Sequence, residues 1–117
     1  MQPPVPQIQR TQIDPDVTVL QIAGRITLGR ECQVVEWAVD DLIKNGTRKV
    51  VFDLAQLEFI DSTGVGIIVM STGKMSAAGG ELRIAALQPR VAELMRVTKL
   101  DRIMVFYPTV ADAVDGF

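Results

Sequence analysis

Histidine is absent from this chain of 117 residues, and cysteine occurs once, at Cys32. The missing histidine removes the side chain that most often acts as a general acid or base and as a metal ligand. A single cysteine allows no disulfide within the chain and is typical of a reducing compartment. We therefore expect neither a metal nor another cofactor, and most enzyme mechanisms that use a general acid or base are disfavoured.

Long apolar runs and blocks of basic residues are also missing. No apolar stretch approaches the roughly 18 to 20 residues that a membrane-spanning helix needs, so direct membrane insertion is not expected. The formal net charge is -2, which gives no electrostatic footprint for nucleic acid. The first residues, MQPPVPQIQ, lack the basic and apolar regions of a secretory signal. These absences together predict a cytoplasmic protein.

The remaining composition is that of an ordinary globular domain, with 48% hydrophobic and 22% charged residues. A chain of this length fits one domain with a substantial core. The proline-rich residues 1–6 are expected to be flexible, and residues 7–117 are expected to form the single domain.

The hydrophobic patterns predict strands that alternate with helices. Period-two and β-branched runs indicate strands, and apolar residues at helical spacing indicate helices. The predicted elements are strands at 7–13 and 17–24, a helix at 28–45, a strand at 49–55, a helix at 65–78, a strand at 81–87, a helix at 89–98, a strand at 102–107 and a short helix from 109. This order, β-β-α-β-α-β-α-β-α, predicts an α/β fold with a mixed, mostly parallel sheet, an antiparallel N-terminal hairpin and helices packed on the sheet.

Two residues of the first predicted helix have simple structural interpretations. Cys32 is expected to be a small buried hydrophobe. Trp37 is expected to be a partly buried helix aromatic, with an interface anchor as the alternative.

A polar and flexible stretch interrupts the apolar centre of the chain at residues 59–66, which read FIDSTGVG. It follows a predicted strand and precedes a predicted helix, where functional sites gather in open α/β sheets. Asp61 or Ser62 can cap the helix. Gly64 and Gly66 weaken it by roughly 1 kcal/mol each relative to alanine. We expect either close packing against a neighbouring strand or close approach of a partner's backbone to offset that cost.

Four interpretations of this stretch remain open on the residues alone. The first is a helix cap with close packing and no further role. The second is a phosphate-binding loop, which is weakened because the lysine and spacing of G-x-x-x-x-G-K-[ST] are missing. The third is a serine nucleophile, but there is no histidine to serve as its base and Lys74 lies more than two turns from Ser62. The fourth is a covalent switch, in which phosphate on an exposed serine at a helix N-terminus repels a docked partner.

A family resemblance rests on residues 50–69, which read VVFDLAQLEFIDSTGVGIIV. They are similar to the central signature of STAS domains, specifically the bacterial anti-sigma-factor antagonists: an apolar strand ending in D-L, a short loop, D-S-[ST]-G-[LV]-G and an apolar helix. VLQIAGRIT, at residues 19–27, resembles the family's second strand and its glycine turn. Residues 79–114 resemble the remaining elements, so the resemblance covers nearly the whole chain except its proline-rich start.

The resemblance implies a small binding module without catalysis of its own. Its unphosphorylated form would bind an anti-sigma factor that is also a serine kinase of the GHKL type, which frees the sigma factor. That kinase would phosphorylate Ser62, with Thr63 as the second candidate, and a PP2C-type phosphatase would reset the switch. Carried over by position, the residues expected to bind the partner are Arg25, Thr27, Asp61, Ser62, Thr63, Gly64, Val65 and Gly66.

The chain departs from the family pattern at two places. Many antagonists carry an acidic pair, as in G-E-L-D, where this chain has Gly24-Arg25-Ile26-Thr27, so a cation replaces an anion beside the expected docking face. The usual T-G-L reads Thr98-Lys99-Leu100, and we expect the missing glycine to lower local stability.

Two other functions remain as alternatives. The chain could be a STAS subunit of a stress-signalling scaffold or a lipid-transport complex, with Ser62 and Thr63 as docking residues. It could also be a nucleotide-binding or enzymatic domain that uses the central loop. This alternative is disfavoured because the loop lacks the lysine of a phosphate-binding loop and the chain lacks histidine.

Overall fold

The computed structural model describes residues 7–14 and 16–117, and along them six strands and four α-helices form one α/β domain. They are β1 (Gln7–Asp14), β2 (Val17–Ile26), α1 (Arg30–Lys44), β3 (Lys49–Asp53), β4 (Leu57–Ile60), α2 (Ser62–Ala77), β5 (Glu81–Ala85), α3 (Pro89–Val97), β6 (Phe106–Tyr107) and α4 (Val110–Val114). The predicted fold class is confirmed. The predicted flexible start, residues 1–6, and Pro15, between the first two strands, lie outside the described residues.

The strands form a mixed sheet in the order β1-β2-β3-β5-β6. Strand β1 runs antiparallel to β2, with Ile8 opposite Ile22, and the remaining neighbours run parallel. Strand β4 also pairs with β2 in parallel, with Gly24 opposite Leu57. Strand β2 is therefore paired with β3 along its first half and with β4 along its second half, which brings the end of β4 to the end of β2.

Apolar residues on both faces of the sheet are buried. Leu20, Ile22 and Phe52 belong to the larger core, which includes residues of α1, α2 and α3. Val19 and Val51 belong to a smaller cluster that contains Ala113 of α4. Because neighbouring positions of β3 face different clusters, its sequence is apolar without alternation, as is typical of a strand covered on both sides.

Strand β4 is missing from the predicted elements, which place a loop between residues 55 and 65. Its sequence LEFI has buried ends, Leu57 and Ile60, and two exposed residues between them. This pattern does not alternate with a period of two, so it gives no strand signal. Strand β4 forms because it lies beside the second half of β2.

The predicted strand at 102–107 is mostly wrong. Only Phe106–Tyr107 pairs with β5. A 3-10 turn occupies Leu100–Arg102, and Ile103 is 70% exposed. The turn follows Lys99, whose φ of 63° places it in the left-handed region where the family pattern has glycine.

The two interpretations made for α1 have different outcomes. Cys32 is buried, at 5% exposed, as predicted. The prediction that Trp37 is partly buried is wrong, because its side chain is 59% exposed. The buried positions of the helix include Cys32, Val35 and Val39, and Trp37 does not lie on their face.

Candidate functional site at the start of helix α2

Asp61 caps helix α2, and the helix therefore begins at Ser62 rather than at the predicted Val65. Its Oδ1 accepts a hydrogen bond from the N–H of Gly64 at 2.8 Å, and its carbonyl oxygen accepts one from the N–H of Val65 at 2.9 Å. The carboxylate satisfies a donor that the first helical turn would otherwise leave free. The cap predicted at Asp61 or Ser62 is confirmed for Asp61.

The second carboxylate oxygen of Asp61 holds the loop between β2 and α1. Its Oδ2 accepts a hydrogen bond from the N–H of Leu28 at 2.9 Å. The N–H groups of Gly64 and then Leu28 lower the pKa of the Asp61 carboxyl from its ordinary value of 3.8, because they stabilise the ionised form. Sequence reasoning missed this bond because its two ends are 33 residues apart along the chain.

The two glycines at the start of α2 have different surroundings. A Cβ added at Gly64 would lie 2.2 Å from the carbonyl oxygen of Ile26 and 2.7 Å from Cγ1 of Ile60. A Cβ added at Gly66 would meet nothing within 4 Å. Close packing on the end of β2 therefore explains Gly64, whereas nothing described in this chain requires a glycine at position 66.

Ser62 and Thr63 lie exposed in the first turn of α2. Within the described part of the chain, neither hydroxyl takes part in a hydrogen bond. Both oxygens are thus available to solvent and to another protein. Val65 differs, because its side chain is only 8% exposed and belongs to the larger core. Of the central residues expected to bind a partner, Val65 and the buried Gly64 support the site from below.

Arg25 and Thr27 stand at the end of β2 and make different contacts. The guanidinium of Arg25 lies 5.1 Å from the centroid of the Phe59 ring, and Arg25 has no acidic partner among the described residues. Thr27 donates from its N–H to Oε1 of Glu31 at 3.0 Å, and its hydroxyl donates to the same oxygen. Arg25 is thus exposed and free to bind an anion, whereas the hydroxyl of Thr27 is used within the chain.

An uncharged face runs along the first turns of α2. Ser62, Thr63, Gly66 and Met70 lie at helical spacing on the exposed side, and Met70 is 47% exposed. We call these four residues the α2-tip surface. Beside it, the loop residue Leu28 is 75% exposed, which sequence reasoning missed. The prediction placed Leu28 at the start of the first helix, whereas α1 begins at Arg30 and Leu28 lies in the loop before it.

Lys74 is the only charged residue of α2, and it is paired with α1. Its Nζ lies 3.0 Å from a carboxylate oxygen of Glu36 and 3.0 Å from one of Asp40. Asp40 and then Glu36 raise the pKa of Lys74, so its amine stays charged and cannot take a proton from Ser62.

In residues 7–14 and 16–117, no group of three or more possible ligand side chains is arranged to hold a metal ion. No helix in that same part of the chain combines the length and apolar character needed to cross a membrane.

Comparisons with known proteins identify relatives across nearly the whole chain. The family model of the STAS domain matches residues 9–113. A candidate anti-sigma factor antagonist of Thermotoga neapolitana is 28% identical over 100 residues, which are 86% of this chain and 88% of the relative. The crystal structure of a candidate anti-sigma factor antagonist from Thermotoga maritima has a TM-score of 0.82 and 26% identity over 92% of each chain. The Bacillus protein SpoIIAA in its phosphorylated form shares the fold, with a TM-score of 0.70 and 18% identity over 93% of this chain and 97% of SpoIIAA.

Proposed function

The chain belongs to the STAS domain family, and we propose that it is an anti-sigma-factor antagonist controlled by phosphorylation of Ser62. The unphosphorylated form binds an anti-sigma factor that is a serine kinase of the GHKL type, and this binding frees the sigma factor. Phosphate on Ser62 weakens the complex, and a PP2C-type phosphatase restores it. The protein acts in the cytoplasm as a binding module without a cofactor.

The observation that carries the proposal is the exposed and unbonded hydroxyl of Ser62 in the first turn of α2. A kinase needs a serine that it can reach, and a helix N-terminus tolerates the added negative charge. The relatives named as candidate anti-sigma factor antagonists support the partner class. The phosphorylated form of SpoIIAA shows that a protein of this fold carries the modification.

The group transfer requires little of this chain beyond the serine. The Oγ of Ser62 attacks the γ-phosphorus of ATP while the bond from that phosphorus to the β,γ-bridging oxygen breaks. ADP leaves with the electron pair of the broken bond, and the hydroxyl proton passes to a base of the kinase. On the phosphatase, water attacks the phosphorus while its bond to Oγ of Ser62 breaks. The Oγ leaves with the electron pair and takes up a proton, and inorganic phosphate is released.

Repulsion and desolvation explain how the phosphate releases the partner. The α2-tip surface carries no charge, so it can be covered by another protein without removing ions from water. A phosphoserine adds about 1.5 to 2 negative charges at neutral pH. The carboxylate of Asp61 stands directly beside it, so the two anions together disfavour a covered surface.

Arg25 extends the proposed docking surface beyond the helix. It is exposed at the end of β2, and no acidic group in the described part of the chain neutralises it. We expect it to face an acidic residue of the partner, which reverses the charge pattern of the antagonists that carry G-E-L-D at this turn. The kinase bound by this chain should therefore differ from their kinases at the facing position.

Substitutions at Ser62 test the proposal, with Ser76 as the matched control. Ser76 is exposed on the same helix, at the end away from the α2-tip surface. We expect Ser62→Ala to bind the kinase like the wild type, Ser62→Glu to bind at least about tenfold more weakly, and Ser76→Glu to bind normally. Equal binding by Ser62→Ala and Ser62→Glu would remove the charge mechanism.

Mass spectrometry after incubation with the kinase and ATP locates the phosphate. We expect it on Ser62, and a peptide carrying it on Thr63 instead would move the switch by one residue. A complex that forms without any phosphate transfer would favour the docking subunit of a scaffold or lipid-transport complex.

A further inference from the structure

The carboxylate of Asp61 joins the proposed phosphorylation site to an exposed apolar side chain. Its Oδ2 accepts the N–H of Leu28 at 2.9 Å, and Asp61 directly precedes Ser62. Leu28 is the most exposed of the large apolar side chains described, at 75%. We propose that Leu28 is an apolar contact for the partner, that Asp61 holds it in position, and that phosphate on Ser62 releases it. This inference rests on the proposed function.

The backbone on either side of Leu28 is also fixed. Thr27 is bonded through its N–H and its hydroxyl to Glu31, which is only 7% exposed. Gly29 has a φ of 104°, in the left-handed region, and its carbonyl oxygen accepts the N–H of Gln33 at 3.2 Å. The main chain therefore holds Leu28 in place while its side chain stays in solvent. The main chain at Leu28 therefore loses little freedom when a partner covers the side chain.

The two oxygens of Asp61 accept hydrogen bonds from different parts of the chain. Gly64, which donates to Oδ1, lies in the helix that Asp61 caps, only three residues along the chain. Leu28, which donates to Oδ2, lies in a separate loop. A phosphate on Ser62 repels the carboxylate and offers oxygens that compete for the same N–H groups. The bond to Leu28 is the one that can open without unwinding α2.

We expect a shallow apolar pocket of the kinase to cover the side chain of Leu28. The α2-tip surface carries no charge, so the kinase surface that covers it together with Leu28 should be largely neutral. Loss of the Asp61 bond would then free the Leu28 peptide between its two bonded neighbours and weaken the apolar contact at the moment when the phosphate adds charge. Both effects weaken the same complex.

Exchange of the Leu28 amide with water, followed by NMR, tests the link in the protein alone. We expect at least about tenfold faster exchange in the protein phosphorylated on Ser62 and in Ser62→Glu, with Ser76→Glu unchanged. Asp61→Asn should have the same effect, because an amide can still accept from Gly64 but presents a donor to Leu28. Unchanged exchange in the phosphorylated protein would overturn the link even if the kinase is released normally.

Substitution of Leu28 tests the contact itself. We expect Leu28→Ala to bind the kinase about tenfold more weakly. Ile103→Ala is the matched control, because Ile103 is an apolar side chain that is 70% exposed in another part of the surface, and we expect it to bind normally. Wild-type affinity in Leu28→Ala would reject the contact. The difference between Ser62→Ala and Ser62→Glu would still decide the proposed function separately.

Discussion

Helices α2 and α3 both begin at the carboxyl ends of parallel strands, but they present different surfaces. The start of α2 has a carboxylate cap, an exposed hydroxyl and no charged residue before Lys74. The start of α3 has no side-chain cap bond; Gln88 instead donates to the carbonyl oxygen of Ala55 at 2.8 Å. Its exposed side carries charges within two turns, including the ion pair of Arg96 and Glu93. Both helices therefore begin at strand ends, but only the start of α2 combines an exposed hydroxyl with an uncharged surface.

The largest expected effect separates the two glycines in the first turns of α2, Gly64 and Gly66; α3 contains no glycine. Gly64→Ala places a methyl group 2.2 Å from the carbonyl oxygen of Ile26, and we expect it to lower the free energy of unfolding by about 2 to 4 kcal/mol. Gly66→Ala meets open space and should raise it by up to about 1 kcal/mol. Urea unfolding followed by circular dichroism measures both. Equal stability of the two variants would contradict the close packing at Gly64.

A glutamate placed at the start of each helix tests whether the kinase binds at α2 and not at α3. Ser62→Glu should weaken kinase binding by at least about 1.4 kcal/mol, whereas Arg90→Glu should leave it unchanged. Arg90 is exposed in the first turn of α3, where a carboxylate is also compatible with the helix dipole. Calorimetric titration of each variant with the kinase gives the affinities. Loss of binding in Arg90→Glu would extend the docking surface to α3.

The side chains that precede the two helices should contribute differently to stability. Asp61→Ala removes the cap of α2 and the bond to Leu28, and we expect a loss of about 1 to 2 kcal/mol. Gln88→Ala removes one neutral hydrogen bond, and we expect a loss of about 0.5 to 1 kcal/mol. Chemical unfolding of both variants at neutral pH measures the losses. An equal loss would mean that the second bond of Asp61 adds nothing to stability.

The smallest expected effect is a pH dependence of the stability that Asp61 contributes at the start of α2. Gln88, at the start of α3, is neutral and contributes no such dependence. The pKa of Asp61 is lowered in the folded protein, so its contribution is complete above its ordinary value of 3.8 and is lost as the pH falls through the folded value. The stability difference between wild type and Asp61→Asn should therefore be constant near neutral pH and shrink below 3.8. Unfolding curves over that range measure it. A difference that grows on acidification would reverse the assigned sign.

Local features of the sequence predicted the Asp61 cap and the fold class. The Asp61 cap depends on residues three positions apart, and the α/β order depends on patterns within single elements. The start of the helix was predicted three residues too late, at Val65, because the glycines at 64 and 66 weaken the local helix signal. The fold class followed from the same short-range patterns.

Features that depend on pairing between distant segments could not be predicted. Strand β4 exists because it meets the second half of β2, and the bond from Leu28 to Asp61 spans 33 residues. The apolar run before Phe106 has strand propensity, but only Phe106 and Tyr107 pair with β5. Trp37 is a different case, because its place outside the buried face of α1 was readable and its size was given too much weight.

The exposure of Trp37 has a practical consequence for spectroscopy. It is the single tryptophan of the chain, and its indole is 59% exposed in the folded protein. Its fluorescence should therefore change little on unfolding and serve poorly as a probe of stability. The same exposure makes Trp37 a useful reporter of binding. A shift of its emission to shorter wavelength on mixing would identify a protein that covers helix α1.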